Sequence, residues 1–385
     1  MPGQVSSFIK REGNHSLPSK ARLIQAYPNL ATQAEFGPEF TSMQKTWCEI
    51  FDGSRLNNGI RITIASGMNA SQLGDWMRDA LQEFPAGVFY ERDGKSWDAT
   101  MQEEHHNLKI RAFSVGGPQF VKFLKDSYSV KGTAKNIRNG DRITYKLTGT
   151  VKSGHNDTSS GNSLVNACIT YESMVRLGLG GWIIVMGDDC LVRTNRPIVT
   201  KPMEKQEGAL GIIPEARCFS RWQDVSFLSG IWVDTGDASH PFGFIPKPGR
   251  ILARCFWTTQ KLSRNQELSW RRDVSECLLT GLQGVPIVTE WLETSGSSTN
   301  VRKGEDLIVG DRNYTSFEFV NRIVNCHKWF QDRYGLTTSE ILSATTMIRD
   351  LGPMDIGLIV HPTLDRIMEV DLCDIDVREE GFCFE

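Results

Sequence analysis

The nine cysteines of this 385-residue sequence form no C-x-x-C pair and no zinc-like spacing with histidine. That excludes a small metal-stapled scaffold, and an odd number without a signal peptide points to reduced thiols rather than a disulfide framework. Long hydrophobic runs are also missing. The longest, Leu177 to Met186, contains three glycines, falls far below the roughly 20 residues of a membrane-spanning helix, and reads as a helix end followed by a strand. There is no internal repeat and no low-complexity tract. An excess of positive charge is absent too: the formal net charge is −3, so any affinity for nucleic acid has to come from a locally basic surface. The acidic stretch from Glu369 to Glu385 reads as a solvated end.

What the sequence does contain is Trp182-Ile-Ile-Val-Met-Gly187-Asp188-Asp189-Cys-Leu-Val-Arg-Thr194. Two short runs rich in Ile, Val and Leu flank a tight turn, and Gly187 lets the backbone reverse between them. Two adjacent carboxylates at such a tip repel each other and call for a cation. Taken alone, Gly-Asp-Asp is a weak signal and reads as a solvated acidic turn. Two further segments give it company. Asp93-Gly-Lys-Ser-Trp-Asp98 follows the strand-like run Gly87-Val-Phe-Tyr90, and Ser153-Gly154-His-Asn-Asp-Thr158-Ser-Ser-Gly-Asn162 precedes apolar positions at helical spacing, Leu164, Ala167, Cys168, Tyr171, Val175 and Leu179. That spacing places Asn162 in the first turn of a helix, and Thr158 with Asn162 also reads as a helix start with its cap. The five-residue offset from Asp93 to Asp98 would put the pair on opposite faces of a straight strand, so the chain must bend, which Gly94 permits. His105 and His106 read as surface, because adjacent residues do not share a helix face.

In order and wording these three segments resemble motifs A, B and C of the viral RNA-dependent RNA polymerases: D-x4-5-D, S-G-x3-T-x3-N and G-D-D. The detail is most similar to plus-strand RNA viruses of the tombusvirus and nodavirus type. Upstream, Phe8-Ile-Lys10-Arg11-Glu12 and Lys20-Ala-Arg22 are similar to the basic motif F; downstream, Val225-Ser-Phe-Leu-Ser-Gly230 is similar to motif E.

The resemblance implies an α+β right-hand fold: an antiparallel palm sheet with helices, partial fingers and a helical thumb. The expected boundaries are fingers over 1–85, palm over 86–232 with a fingers insertion at about 101–150, and thumb plus tail over 233–385, with helices at 262–283, 315–333 and 338–350. It implies templated ribonucleotidyl transfer by two metals, Mg2+ or Mn2+, held by Asp93 and Asp188 with Asp189 in support. Asp98 and Asn162 would sense the ribose 2′-hydroxyl, with Ser153, Gly154 and Thr158 completing that pocket and Ser153-Gly154 forming a mobile loop. Lys10, Lys20 and Arg22 would cover the incoming triphosphate. Where relatives carry P-x-x-K, this sequence has Pro214-Glu-Ala-Arg217; Arg217 would stabilise the leaving pyrophosphate rather than protonate it, Lys201 and Lys205 being competitors, and an exposed Arg at a helix end the plainer reading.

The expected partners are single-stranded RNA template, nascent RNA, ribonucleoside triphosphates and other viral replication proteins. The expected place is the host cytoplasm, in membrane-associated complexes anchored through another segment or protein. A start so close to motif F is expected of a fragment, or of a product whose N-terminal partner is encoded elsewhere. The alternatives are a silent RNA-binding or assembly subunit that keeps the fold, and, more weakly, a reverse transcriptase, against which Gly187 and the Asp98/Asn162 pair both speak.

Overall fold

The computed structural model describes residues 4–9, 23–27, 31–135, 139–297, 326–353 and 359–373. They gather into two compact units, the first holding the described residues up to 68 and 79–228, the second 69–78 and those from 229 onward.

In the first unit the chain runs β1 (Gln4–Ile9), β2 (Leu23–Ala26), α1 (Ala31–Ile50), β3 (Asp52–Asn57), β4 (Ile60–Ile64), then α2 (Ala70–Glu83), whose residues up to 78 belong with the second unit. It continues through β5 (Phe89–Gly94), α3 (Trp97–Thr100), α4 (Glu103–Ala112), α5 (Pro118–Tyr128), β6 (Ser129–Lys135), β7 (Arg142–Thr148) and α6 (Asp157–Arg176). The last elements are β8 (Gly181–Met186), β9 (Asp189–Thr194), α7 (Thr200–Ala209), β10 (Pro214–Phe219) and the short β11 (Ser226–Phe227).

A six-stranded sheet of order β10-β5-β9-β8-β4-β3 is antiparallel except where β4 lies parallel to β8. Side chains alternate across such a sheet. Tyr90, Val192, Ile183, Val185 and Ile60 therefore share one face, packed with Ala167 and Met174 of α6 and Met203 of α7. Each fully buried aliphatic contributes on the order of 1.5–3 kcal/mol. Glu91 and Asp93 necessarily point to the opposite face.

The sheet is wider than the strands around residues 87–90 and 182–194 that the sequence marks. The alternating Ile60, Ile62 and Ile64 of β4 pair with Gly181, Ile183 and Val185 of β8, so the sheet takes in strands from Asp52 onward. The reading of His105 and His106 as surface is corrected, since both are buried. The His105 ring accepts from the Gln102 backbone N–H at 3.0 Å and reaches the Leu210 carbonyl at 2.8 Å, while His106 stacks edge-on against Tyr128 at 5.0 Å. Burial and the neighbouring Lys109 push His106 down to about 3, so it is neutral at ordinary pH. The expected insertion between residues 101 and 150 is present as α4, α5 and the β6–β7 hairpin, which joins β1 and β2 in a four-stranded sheet of order β2-β1-β6-β7.

The second unit contains the hairpin β12 (Gly230–Asp234) and β13 (Phe242–Pro246), then α8 (Pro248–Arg254), α9 (Arg264–Leu282), α10 (Val288–Gly296), α11 (Cys326–Tyr334), α12 (Thr338–Arg349) and α13 (Pro362–Cys373). The helices expected at 262–283 and 338–350 are α9 and α12. Each opens with a capping box, Ser263 with Gln266 and Thr337 with Glu340, which satisfies orphan backbone donors and explains why the sequence marks these starts well. Of the expected helix at 315–333, residues 315–325 lie outside the described residues, as do residues 374–385 of the acidic tail. Among the described residues no helix is long and apolar enough to cross a membrane.

The core of this unit, with Trp291, Leu292, Phe330, Ile348 and Ile367, encloses the carboxylate of Asp371. It accepts from the Gly249 backbone N–H at 2.7 Å, the Tyr334 hydroxyl at 2.8 Å and Arg333 at 2.7 Å. Asp371→Ala takes the acceptor from three donors at once, and we expect a loss of about 3–5 kcal/mol in urea unfolding of this unit. A loss below about 1 kcal/mol would show that the cluster contributes little.

Candidate active site

Met186 of β8 and Asp189 of β9 are register partners, which leaves Gly187 and Asp188 as the turn. Gly187 has φ +63°, while a Cβ there would meet nothing; glycine is needed for the backbone angle, as expected, and not for space. In the β5–β9 pairing Arg92 faces Cys190. Extending that register by one residue sets Asp93 opposite Asp189, on the sheet face turned away from α6 and α7. Strands from distant parts of the sequence thus bring three carboxylates together. Burial, then Asp188 and Asp93, push the Asp189 carboxyl up to about 7; burial and Asp188 raise Asp93 as well. Among the described residues no group of three Asp, Glu, His or Cys side chains is placed to hold a metal ion by itself. A set of carboxylate oxygens that raise one another's pKa does fit a hard divalent cation that completes its shell with water and phosphate.

After Asp93 the chain bends, but not at Gly94. The left-handed residue is Ser96, with φ +53°; Gly94 instead leaves room for the Trp97 ring, which a Cβ would approach to 2.4 Å. The bend starts α3 and carries Asp98 to Asn162, whose Nδ2 donates to Asp98 Oδ1 at 3.0 Å. The two residues expected to act together are therefore in contact. Burial raises Asp98, and the hydrogen bond from Asn162 works against that rise. The Oδ1 of Asn162 is buried without a partner among the described residues.

Asn162 lies in the second turn of α6 rather than the first, since the helix begins at Asp157. Thr158 is not a cap either. It sits inside the first turn and donates back to the Lys152 carbonyl at 3.2 Å. Ser153 and Gly154 form the turn before the helix, with Gly154 at φ +76°. Both ends of that turn are pinned by buried charge. On one side the Lys152 ammonium, pushed down to about 8 by burial and Lys109, donates to the carbonyls of Ser127, Gly149 and Thr150 at 3.0, 2.7 and 3.0 Å. On the other, Asp157 lies 2.6 Å from both Lys109 and His155. Burial alone would push Asp157 up, but those two neighbours hold it well below the usual carboxylate range.

Sequence reasoning missed what supports the acidic turn. Arg92, 2% exposed, donates from Nη1 to the Asp188 carbonyl at 3.3 Å and from Nη2 to Asn166 and Thr170, the latter at 3.1 Å. Its Nε lies 3.4 Å from Glu207, which also accepts from the Tyr90 hydroxyl at 2.7 Å. Asn166 donates to the Gly187 and Asp189 carbonyls at 3.0 and 3.1 Å, and the Gly187 N–H donates to the Ser163 hydroxyl at 2.8 Å. The signal was in the sequence: strand alternation puts Arg92 on the apolar face with Tyr90, and a charge there requires partners.

Arg217 is exposed in strand β10, not at a helix end as one reading had it, and it pairs with Glu91 while Glu215 pairs with Asp93. It shares the face of Asp93, two residues along the neighbouring strand. Lys201 and Lys205 are exposed on α7, whose buried side carries Met203 and Glu207 against the opposite face of the sheet. Lys10, Lys20 and Arg22 lie outside the described residues.

The raised carboxyl of Asp189 has a consequence for stability. With a folded pKa near 7 against 3.8 unfolded, the fold retains a proton that the unfolded chain releases, so stability from this group is full below about 4 and declines as pH rises to about 7. In chelator-containing buffer the denaturation midpoint should fall over that window, and Asp189→Asn should flatten the fall. A parent and a variant with parallel pH profiles would rule out Asp189 as the source.

Comparison with known proteins follows the same line. Residues 60–207 match the family model described as viral RNA-dependent RNA polymerase. An RNA-directed RNA polymerase of Melon necrotic spot virus is 24% identical over 238 residues, 60% of this chain and 29% of that protein, so the chain spans less than a third of that relative. The crystal structure of the RNA-dependent RNA polymerase of a human picobirnavirus shares the fold with a TM-score of 0.60 over 78% of this chain and 57% of that one, at 12% identity. The fold is thus the α+β fold of that polymerase structure, and residues 60–207 are similar to the viral RNA-dependent RNA polymerase model.

Proposed function

We propose that this chain carries out template-directed ribonucleotidyl transfer on viral RNA. The observation that carries the reading is the placing of Asp93 and Asp189 on one sheet face at the strand ends, beside Asp188 in the turn, with the hydrogen-bonded Asp98 and Asn162 close by. On this reading the six-stranded sheet is the palm, the four-stranded sheet belongs to the fingers and the second unit is the thumb.

Asp93 and Asp188 would hold Mg2+ or Mn2+, with Asp189 in support. When bound, the ions neutralise triphosphate charge and lower the pKa of the attacking 3′-hydroxyl. Asp98 and Asn162 read the sugar: with one amide N–H spent on Asp98, Asn162 still offers its unpartnered Oδ1 and a second N–H, which match a 2′-hydroxyl that both donates and accepts. A deoxynucleotide leaves these groups unpaired, a penalty that discriminates against the wrong sugar. Ser153, Gly154 and Thr158, in the turn and first helical turn before Asn162, would complete the sugar pocket, and Lys10, Lys20 and Arg22 are the residues proposed for the triphosphate. RNA template, nascent RNA, nucleotides and other viral replication proteins are the proposed partners, in the host cytoplasm with membrane attachment supplied elsewhere.

The test is incorporation of labelled ribonucleotides on a homopolymer template. Asp188→Ala should lower turnover by several orders of magnitude with RNA affinity retained, because the lost interaction belongs mainly to the transition state. Asn162→Ala should narrow the ribose preference by about tenfold or more. Normal turnover in Asp188→Ala, or equal background in both proteins, would overturn the reading.

Arg217 carries a separate expectation. A guanidinium can fork onto a departing pyrophosphate with two parallel hydrogen bonds, which an ammonium cannot do. Arg217→Ala should slow single-nucleotide incorporation by about a hundredfold, and Arg217→Lys should restore much of that rate while adding a decline above neutral pH. A change below about threefold in Arg217→Ala would pass the role to Lys201 or Lys205.

A further inference from the structure

The four-stranded sheet has one face whose charge pattern nothing above uses. In the β6–β7 register Lys131 faces Lys146 and Lys135 faces Arg142. The paired rows between and beyond them are Thr133 with Thr144 and Ser129 with Thr148. Alternation places all eight on one side, and the four cations are exposed. The other side takes Val130, which packs with Val5, Tyr27 and Leu147. Like charges directly opposite each other across antiparallel strands destabilise the pairing, and none of these four cations has an ion pair to a described carboxylate. Asp141, the nearest acid in sequence, lies outside the strand and accepts from Asn139 in the hairpin turn.

The adjacent strand extends the face. β1 runs parallel to β6 with Gln4 beside Lys131 and Ser6 beside Thr133, so Phe8 falls in the row of Lys135 and Arg142. Phe8 is 51% exposed. A neutral, hydroxyl-rich floor, two rungs of paired cations and an open aromatic ring make up the chemistry that holds single-stranded nucleic acid, with phosphates on the cations and a base stacked on the ring. A chain of net charge −3 gets no such attraction from its overall field.

We propose that this face, Lys131, Lys135, Arg142 and Lys146 with Phe8, is a sequence-independent binding surface for single-stranded RNA, separate from the carboxylate site. The proposal deepens the polymerase reading and rests on it for the identity of the polyanion. The like-charge rungs are kept at a cost to the fold because bound phosphate neutralises them.

The experiment compares the parent, the neutralised variant Lys131→Gln/Lys135→Gln/Arg142→Gln/Lys146→Gln, and Phe8→Ser, using a fluorescent 20-nucleotide oligouridylate and, separately, vesicles containing phosphatidylserine. The neutralised variant should melt at the parent's temperature or higher, since two repulsive pairs are gone, yet bind the RNA at least tenfold more weakly. Its log affinity should fall less steeply with log salt, by up to about 2.8 in slope if each cation meets one phosphate. Phe8→Ser should weaken binding severalfold without changing the salt slope. At saturating RNA the neutralised variant should retain nucleotide incorporation. RNA affinity and salt slope equal to the parent's would overturn the proposal. So would loss of vesicle binding with RNA binding intact, which would mark the face as a membrane contact. A parent that binds RNA through this face but incorporates no nucleotide would sink the polymerase reading and leave the surface standing.

Discussion

A single buried guanidinium organises the candidate site. Arg92 sits on the apolar face of the central sheet, where an unaccompanied charge would be expelled, and its satisfaction recruits four residues from three elements: Asp188 in the turn, Asn166 and Thr170 on α6, and Glu207 on α7. It also lies over the Trp97 ring at 5.2 Å, next to Asp98. Lysine could not serve, since a point charge with three donors on a flexible stem lacks the planar five-donor fork that reaches these partners at once. Such a buried pair adds little net stability when intact, because desolvation offsets the attraction. Removing one partner is costly, so the network specifies position more than it stabilises.

The same residue joins the two acidic signatures. Arg92 immediately precedes Asp93 in β5 and holds the carbonyl of Asp188, so one side chain relates both strand ends. Helix α6 does the rest with residues at helical spacing: Asn162 to Asp98, Ser163 and Asn166 to the turn backbone, Thr170 to Arg92. The polar stripe of α6 faces the site and its apolar stripe faces the core, which is why a helix this polar remains buried.

The two sheets of the first unit carry charge differently. On the central sheet, the face packed against α6 and α7 buries Arg92 beside Glu207, while the other face mixes Glu91, Asp93, Asp189 and Glu215 with Arg61, Arg193 and Arg217, the last directly across from Glu91. On the four-stranded sheet the paired rungs of one exposed face carry lysines and an arginine. A near-neutral chain thus concentrates positive charge on one local surface.

The sequence by itself determined what depends on local chemistry. Glycine at a reversing turn, β-branched runs on either side of it, the helical stretches that form α9 and α12 and the order of the three polar signatures were all legible, because each is set by neighbours within a few residues. Where tertiary contacts decide, sequence reasoning went astray. It did not find β4 and β3 in the central sheet, because nothing local shows that β4 will lie beside β8, more than a hundred residues away. It put His105 and His106 in solvent because helical periodicity does not reveal that α4 is covered on two sides. It placed the bend at Gly94, although glycine's absent side chain was needed there for Trp97 and the left-handed angle fell on Ser96. The role of Arg92 was decided only in three dimensions: a charge within a strand announces that partners exist, but which helices supply them depends on how the sheet is covered, and that is a property of the fold.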